Sequence, residues 1–368
     1  MHLKRTLSVL AIAAVATMAK DYSGAELYTN DTWMYGKFEA RMQMAAGSGT
    51  VSSMFLYHND SYLGGNEPWV EVDIEILGKN PNSFQSNIIT GYGPDDKTGA
   101  PNRKITSEKH HPIEPASNQS FHTYGMEWTP NYVAWTLDGK VVRKTVKGQE
   151  SGCKAEADQQ QQSYCNQVED LGKKRQDLRF NLWSHEDAGW VGTWNDDILP
   201  VYQFINWVKT YKYTPGEGPN GSDFTLDWKD DFETFNQSRW SVGDWTFDGN
   251  RVDISPNNVY AKNGMVIIAL TKKGQENFSG QVPQDPEGDA EFNNDQQQQS
   301  SSSEQFNQLS SSSQESNQFE SSSSSADPTG ILPTRVKLQN KEVRGTVNAK
   351  GARVNPNNKA NYQVDFNF

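Results

Sequence analysis

Between Trp69 and Leu77 the side chains sort almost completely by parity, which fixes the local conformation before anything else is known. Successive side chains of a β-strand point to opposite faces, so Val70, Val72, Ile74 and Ile76 share one face while Glu71, Asp73 and Glu75 share the other. Gly36–Met44 alternates as strictly, with Phe38, Ala40, Met42 and Met44 opposite Lys37, Glu39, Arg41 and Gln43, the pattern of a half-buried antiparallel strand. Val51–Tyr57 is a more continuous apolar run, and the polar loop Asn59–Pro68 delivers the chain to the acidic strand. Tyr132–Leu137, Asp138-Gly139 and Lys140–Thr145 spell a hairpin with a two-residue turn. Leu178–Trp183, Phe204–Tyr213, Phe224–Trp228 and Met265–Thr271 add strands, and no part of this region carries a long helical period. The expected fold is all-β, a sandwich of two antiparallel sheets.

The 368 residues do not share one composition. All eleven Trp fall between Trp33 and Trp245, so the last 123 residues do not repeat that kind of core. Residues 1–19 read as a secretory signal, with Lys4 and Arg5 ahead of the apolar run Leu7–Ala16 and a small-residue cleavage site at Thr17–Ala19. A secreted protein, extracellular or at the cell surface, is expected. The main β domain is placed at 20–283. Residues 284–330 collapse to Gln, Ser, Asn and acids and read as a flexible linker, having too little apolar surface to offset ordering entropy. Residues 331–368 form a basic tail, with seven Lys or Arg against Glu342 and Asp365. The net charge of −12 argues against a nucleic-acid binder, and the apolar run of the signal is too short for a membrane span. Cys153 and Cys165 either close a small loop or remain free thiols. His110-His111 lacks zinc-ligand spacing and reads as surface.

A row of like charges on one strand face is locally unfavourable, and its persistence asks for a use. Two carboxyl groups about 5–5.5 Å apart serve retaining glycoside hydrolysis, one as nucleophile and one as proton donor. Glu71 and Glu75 have Cα atoms roughly 13 Å apart on a straight strand, a gap that inward-leaning side chains on a bent strand largely close. An inverting spacing of about 6.5–9.5 Å stays open at this point. Asp73, between them, is placed to hydrogen-bond the nucleophile and, as a like charge, to keep the acid protonated. A solvated acidic face is the plain alternative, and calcium a weaker one, because carboxylates strung along a strand converge poorly on one ion.

Glu71-Val-Asp-Ile-Glu75 resembles the Glu-x-Asp-x-Glu signature of family 16 glycoside hydrolases, and Gly49–Tyr57 and Phe84–Thr90 resemble the bacterial 1,3-1,4-β-glucanases (lichenases) within it. The likeness runs through most of residues 20–283. It implies a jelly roll with a concave cleft, Glu71 as nucleophile, Asp73 as its assistant and Glu75 as acid/base. It also implies Phe55, Tyr57, Asn59, Trp69, Gln85, Asn87, Arg179, Trp183 and Trp245 as cleft residues. No catalytic cofactor is implied, but a structural calcium is, at Asn206, Asp231 and Gly264. The expected partner is a β-glucan, the expected state a monomer. Asp223–Gly274 resembles a segment that most lichenases place before Gly24–Tyr28, which reads as circular permutation; nearby termini permit it. Rival readings are a xyloglucan-acting hydrolase or transglycosylase, and a non-catalytic glucan binder on the same scaffold.

Overall fold

A computed structural model describes residues 19–162, 165–247 and 249–293. The remainder of the signal, the linker from 294 onward and the basic tail lie outside the described residues. Chain order gives β1 (Tyr22–Thr29), β2 (Gly36–Gln43), β3 (Thr50–Tyr57), β4 (Pro68–Leu77), β5 (Ser83–Tyr92), β6 (Ile105–Thr106), β7 (Lys109–Pro112), β8 (His122–Trp128) and β9 (Tyr132–Leu137). There follow β10 (Lys140–Val146), β11 (Lys154–Ala155), β12 (Asp177–Ser184), β13 (Val201–Tyr213), β14 (Phe224–Asp230), β15 (Trp240–Val242), β16 (Val252–Ile254), β17 (Val259–Lys262) and β18 (Met265–Lys272).

Two antiparallel sheets result. The front sheet runs β15-β1-β12-β3-β4-β5, with β6 and β7 on the far side of β5 and β11 beyond β6. The back sheet runs β17-β18-β13-β2-β8-β9-β10, and β14 pairs with the second half of β13. The start of β1 pairs with β18 and so ties the two together. Their inner faces share one core, in which Val70, Val72, Ile74 and Ile76 of β4 meet Phe38, Ala40 and Met42 of β2 and Tyr124, Met126 and Trp128 of β8. The alternation read from the sequence is therefore the alternation of core and outer face. Trp135, fully buried on β9, crosses this core and donates its indole N–H to the backbone oxygen of Asp73 at 2.9 Å. Asp138 and Gly139 take positive φ of 48° and 73°, as the two-residue hairpin turn requires.

Two expectations change. The ordered domain does not stop at 283. Residues 286–293 are helical and lie on the outer face of the back sheet, where Arg41 forms a two-pronged ion pair with Asp285 at 3.0 and 2.9 Å. Trp207 donates to the backbone oxygen of Gly288 at 3.0 Å, and Lys229 caps that of Phe292 at 2.9 Å. Composition hid this because a few anchors hold the segment rather than an apolar stripe. His111 is also not a surface residue, for it is buried beside Phe84 and bonded to Ser86 at 2.8 Å. Burial, with Arg143 nearby, pushes its pKa down to about 4, so it stays neutral.

Candidate active site

The outer face of the front sheet is assembled rung by rung from strand register. One rung reads Asn87, Asp73, Phe55, Arg179 and Tyr28, and the next reads Gln85, Glu75, Ser53, Asn181 and Glu26. Glu71 stands between Ile89 and Tyr57. Residues far apart in the chain thus converge on the acidic strand, and these rungs and their neighbours bring all nine residues expected to line the cleft onto this face.

Each carboxylate has its own surroundings. Glu71 accepts the indole N–H of Trp69 at 2.6 Å. Glu75 accepts Gln85 Nε2 at 3.1 Å, and Gln85 in turn accepts Trp190 Nε1 at 3.3 Å. Asp73 is almost wholly buried, its Oδ2 meets no partner, and its side chain shares a hydrogen bond with Glu71. Burial pushes all three pKa values up. For Glu75 the charges of Glu71 and Glu108 add to burial and bring it to about 8. Asp73 is raised well above the aspartate range by burial and by the charges of Glu71 and Glu75. Burial also raises Glu71, but Trp69, Lys104 and Asp73 pull back. At neutral pH the strand thus holds a protonated Glu75, an Asp73 pushed strongly toward its neutral form and, in Glu71, the carboxylate best supplied with partners. The like charges that raise Glu75 are those of Glu71 and Glu108, whereas Asp73 had been expected to do this.

Arg179 organises the other half of the face. Its guanidinium bonds Asp177 at 2.5 and 2.9 Å, Glu26 at 2.9 Å and Asn59 at 2.9 Å, and lies 4.9 Å from the ring of Tyr57 and 5.8 Å from that of Trp245. Asn181 joins the same network through Glu26 and Ser53. Phe55, Tyr57 and Trp69 form a continuous aromatic run, with ring centroids 6.3 and 5.7 Å apart, and Trp183 packs with Trp190 and Phe247 beyond Glu75. Asn87 accepts the backbone N–H of Ser107 at 3.0 Å.

Glu26, Asp177, Lys104, Glu108 and Trp190 belong to this site and were not singled out from the sequence. Glu26 left a signal, a lone acid alternating with Ala25 and Leu27 in Gly24–Tyr28. Lys104 and Glu108 left none, because only the pairing of β6 and β7 with β5 brings them near.

On the opposite side of the sandwich Asn206, Asp231 and Gly264 line one cavity of about 330 Å3, together with Glu233, Asp285 and Asp289. A Cβ on Gly264 would stand 2.7 Å from a Glu233 carboxylate oxygen and 3.7 Å from the Asp231 carbonyl oxygen, so the absence of a side chain there keeps an oxygen-lined cradle open. Such donors suit a hard cation. Among the described residues no three His, Cys, Asp or Glu converge as a ligand set, which leaves backbone oxygens and water to complete any coordination. Cys153 and Cys165 are joined as a disulfide.

The family description "Glycosyl hydrolases family 16" matches residues 4–167, and a curated β-glucanase of Fibrobacter succinogenes is 55% identical over the whole of this chain and 99% of its own length. The chain belongs to glycosyl hydrolase family 16. A Brevibacillus brevis β-glucanase is 32% identical over 56% of this chain and 66% of its own. A solved Bacillus licheniformis β-glucanase aligns at 26% identity and a TM-score of 0.36, covering 52% of this chain and 77% of that one.

Proposed function

We propose that this family 16 member is an endo-acting β-glucanase that hydrolyses mixed-linkage β-1,3-1,4-glucan, cutting β-1,4 bonds next to 3-O-substituted glucose with retention at the anomeric carbon. The separation of roles along β4 is the observation that carries the reading. Glu75, protonated up to a pH of about 8, gives its proton to the departing glycosidic oxygen. Glu71 attacks the anomeric carbon, the bond to the leaving oxygen breaks, and a glycosyl-enzyme ester forms. Glu75, now ionised, takes a proton from water as that water opens the ester and restores Glu71. Asp73, protonated, donates to Glu71 and steadies its charge before attack and again on release.

Arg179 and the aromatic run would provide the rest of the cleft. Pyranose rings pack their apolar faces on Tyr57, Trp183 and Trp245, and Asn59, held in place by Arg179, is free at the surface to meet hydroxyls. Calcium, where bound, would be held near Asn206, Asp231, Glu233 and Gly264 and would brace the fold on the side remote from the chemistry. The Cys153–Cys165 disulfide supports an oxidising, exported destination, and no described helix is long and apolar enough to cross a membrane. The position of Asp223–Gly274 after the acidic strand supports a circularly permuted chain order.

The test is product analysis on barley β-glucan beside laminarin, carboxymethylcellulose and xyloglucan, with the anomeric configuration of the first product read by NMR. Short mixed-linkage oligosaccharides released as the β-anomer from the first substrate alone are expected. Cleavage of xyloglucan instead would move the specificity, an initial α-anomer would replace the double displacement, and binding with no cleavage would leave a glucan-binding scaffold.

A further inference from the structure

We propose that Lys104 is a positioning residue of the acidic site and that the disulfide-closed segment 153–165 is the element that holds it there, an inference that rests on the hydrolase reading above. Lys104 Nζ lies 4.1 Å from the ring centre of Trp69, the residue whose indole N–H reaches Glu71. The same ammonium is paired with Glu156 at 2.9 Å, and the Glu156 backbone N–H donates to the Lys104 backbone oxygen, also at 2.9 Å. Glu156 belongs to the disulfide segment. Lys154 and Ala155 of β11 pair with Thr106 and Ile105 of β6, a register that brings the next residue, Glu156, directly opposite Lys104.

Both ends of the segment are tied to the front sheet. Cys153 adjoins β11, and Gln167, two residues beyond Cys165 and wholly buried, donates to the backbone oxygens of Ile88 in β5 and Ile105 in β6. The disulfide therefore closes a small loop whose two feet stand on β5 and β6. An ion pair at the surface of a loop is ordinarily of little consequence. This one differs in place, since the Lys104 side chain is only 14% exposed and covers the indole that supports Glu71.

The groups that face Glu71 are Tyr57 from β3, Trp69, Asp73 and Glu75 from β4, and Lys104 and Glu156 from the β6–β11 edge. Tyr57 is held protonated by burial, so Lys104 is the cation in this set and its field favours the ionised form of Glu71. Removing it lets Glu71 keep its proton to higher pH, which moves the acid limb of the rate profile upward.

The experiment is the pH profile of kcat/KM for the full chain on barley β-glucan, measured for wild type, Lys104→Met, Lys104→Arg, Glu156→Gln and the double variant Cys153→Ser/Cys165→Ser, with thermal melting of each. For Lys104→Met the acid limb is expected to rise by roughly half a unit to one unit, so that kcat/KM on that limb falls about three- to tenfold. Lys104→Arg restores it. Glu156→Gln and the disulfide-free variant move the limb the same way by less, because each lets Lys104 drift from Trp69. A downward move in Glu156→Gln would mean that this acid acts by its charge alone, and the holding role of the segment would fall. An active wild type whose acid limb is untouched by Lys104→Met overturns the inference by itself. A wild type that cleaves no glucan removes the hydrolase reading, and the inference with it. Should Lys104→Met melt below the assay temperature, the disulfide-free variant decides.

Discussion

The outer faces of the two sheets both bury charge, and they do so to opposite ends. On the back sheet Arg41 and Asp285 meet in a two-pronged pair, their side chains 9% and 4% exposed. Burial opposes the charge on Asp285, but Arg41, Asn206 and the Gly288 N–H overcome it and hold the pKa below the aspartate value of 3.8. On the front sheet Glu71, Asp73 and Glu75 share one strand; burial holds all three up, and repulsion from their neighbours on the strand adds to it at Asp73 and Glu75. Opposite charges brought together settle into one state. Like charges brought together keep protons that a reaction can move, at a cost in stability.

The largest effect separates the two faces directly. Glu71→Gln should lower kcat by at least about 10^4-fold while the melting temperature stays level or rises, since one of the repelling charges is gone. Near-normal turnover in that variant would remove the mechanism. Arg41→Met should do the reverse, with kcat per folded molecule retained and stability lowered by about 3–5 kcal/mol, because Asp285 is left buried and unpaired. Calorimetry and a rate measured well below the melting temperature check both halves.

Chain truncation sharpens the contrast. A chain ending at 283 lacks Asp285 and leaves Arg41 only the longer contact to Asp138 at 3.9 Å, whereas one ending at 293 keeps the contacts of Gly288 and Phe292. The first should melt lower by roughly 6–20 °C, from a loss of about 3–5 kcal/mol at 2–4 °C for each. The second should match the full chain in both melting and rate.

The smallest effect concerns pH, where the two faces have opposite signs. Glu75 has its pKa raised from 4.5 to about 8, so the unfolded chain binds fewer protons between those values. Its contribution to stability is complete below 4.5 and is lost as pH rises through 8. Asp285, with a lowered pKa, contributes above 3.8 and loses that contribution as pH falls through its folded value. Glu75→Gln is thus expected to stabilise the protein at pH 8 by on the order of 1 kcal/mol, about 2–4 °C, and to leave it unchanged at pH 4. A melting curve that responds alike at both pH values would contradict the raised pKa.

What could be read from the sequence follows the range of the interactions. Parity along β4, β2 and the β9–β10 hairpin is local, and it placed core and outer face correctly from one residue to the next. Glu71, Asp73 and Glu75 were visible for the same reason. Arg179 was legible, but its anchors Glu26 and Asp177 were not, because Glu26 reaches it only through the pairing of β1 with β12. Lys104 depends on two strands of two residues each, too short to leave a pattern. The segment after 283 failed for a related reason, being fastened by Asp285, Gly288 and Phe292 amid residues that otherwise look like linker.

The bond from Trp135 to the backbone of Asp73 bears on when the enzyme fails as it is warmed. It fastens the middle of the reactive strand, through the core, to the sheet on the far side. The amides around Asp73 should therefore exchange with deuterium only when the whole sandwich opens, while those of residues 153–162 exchange through small local openings. Heat should then take catalysis and the fold away in a single step, with no inactive but folded species in between.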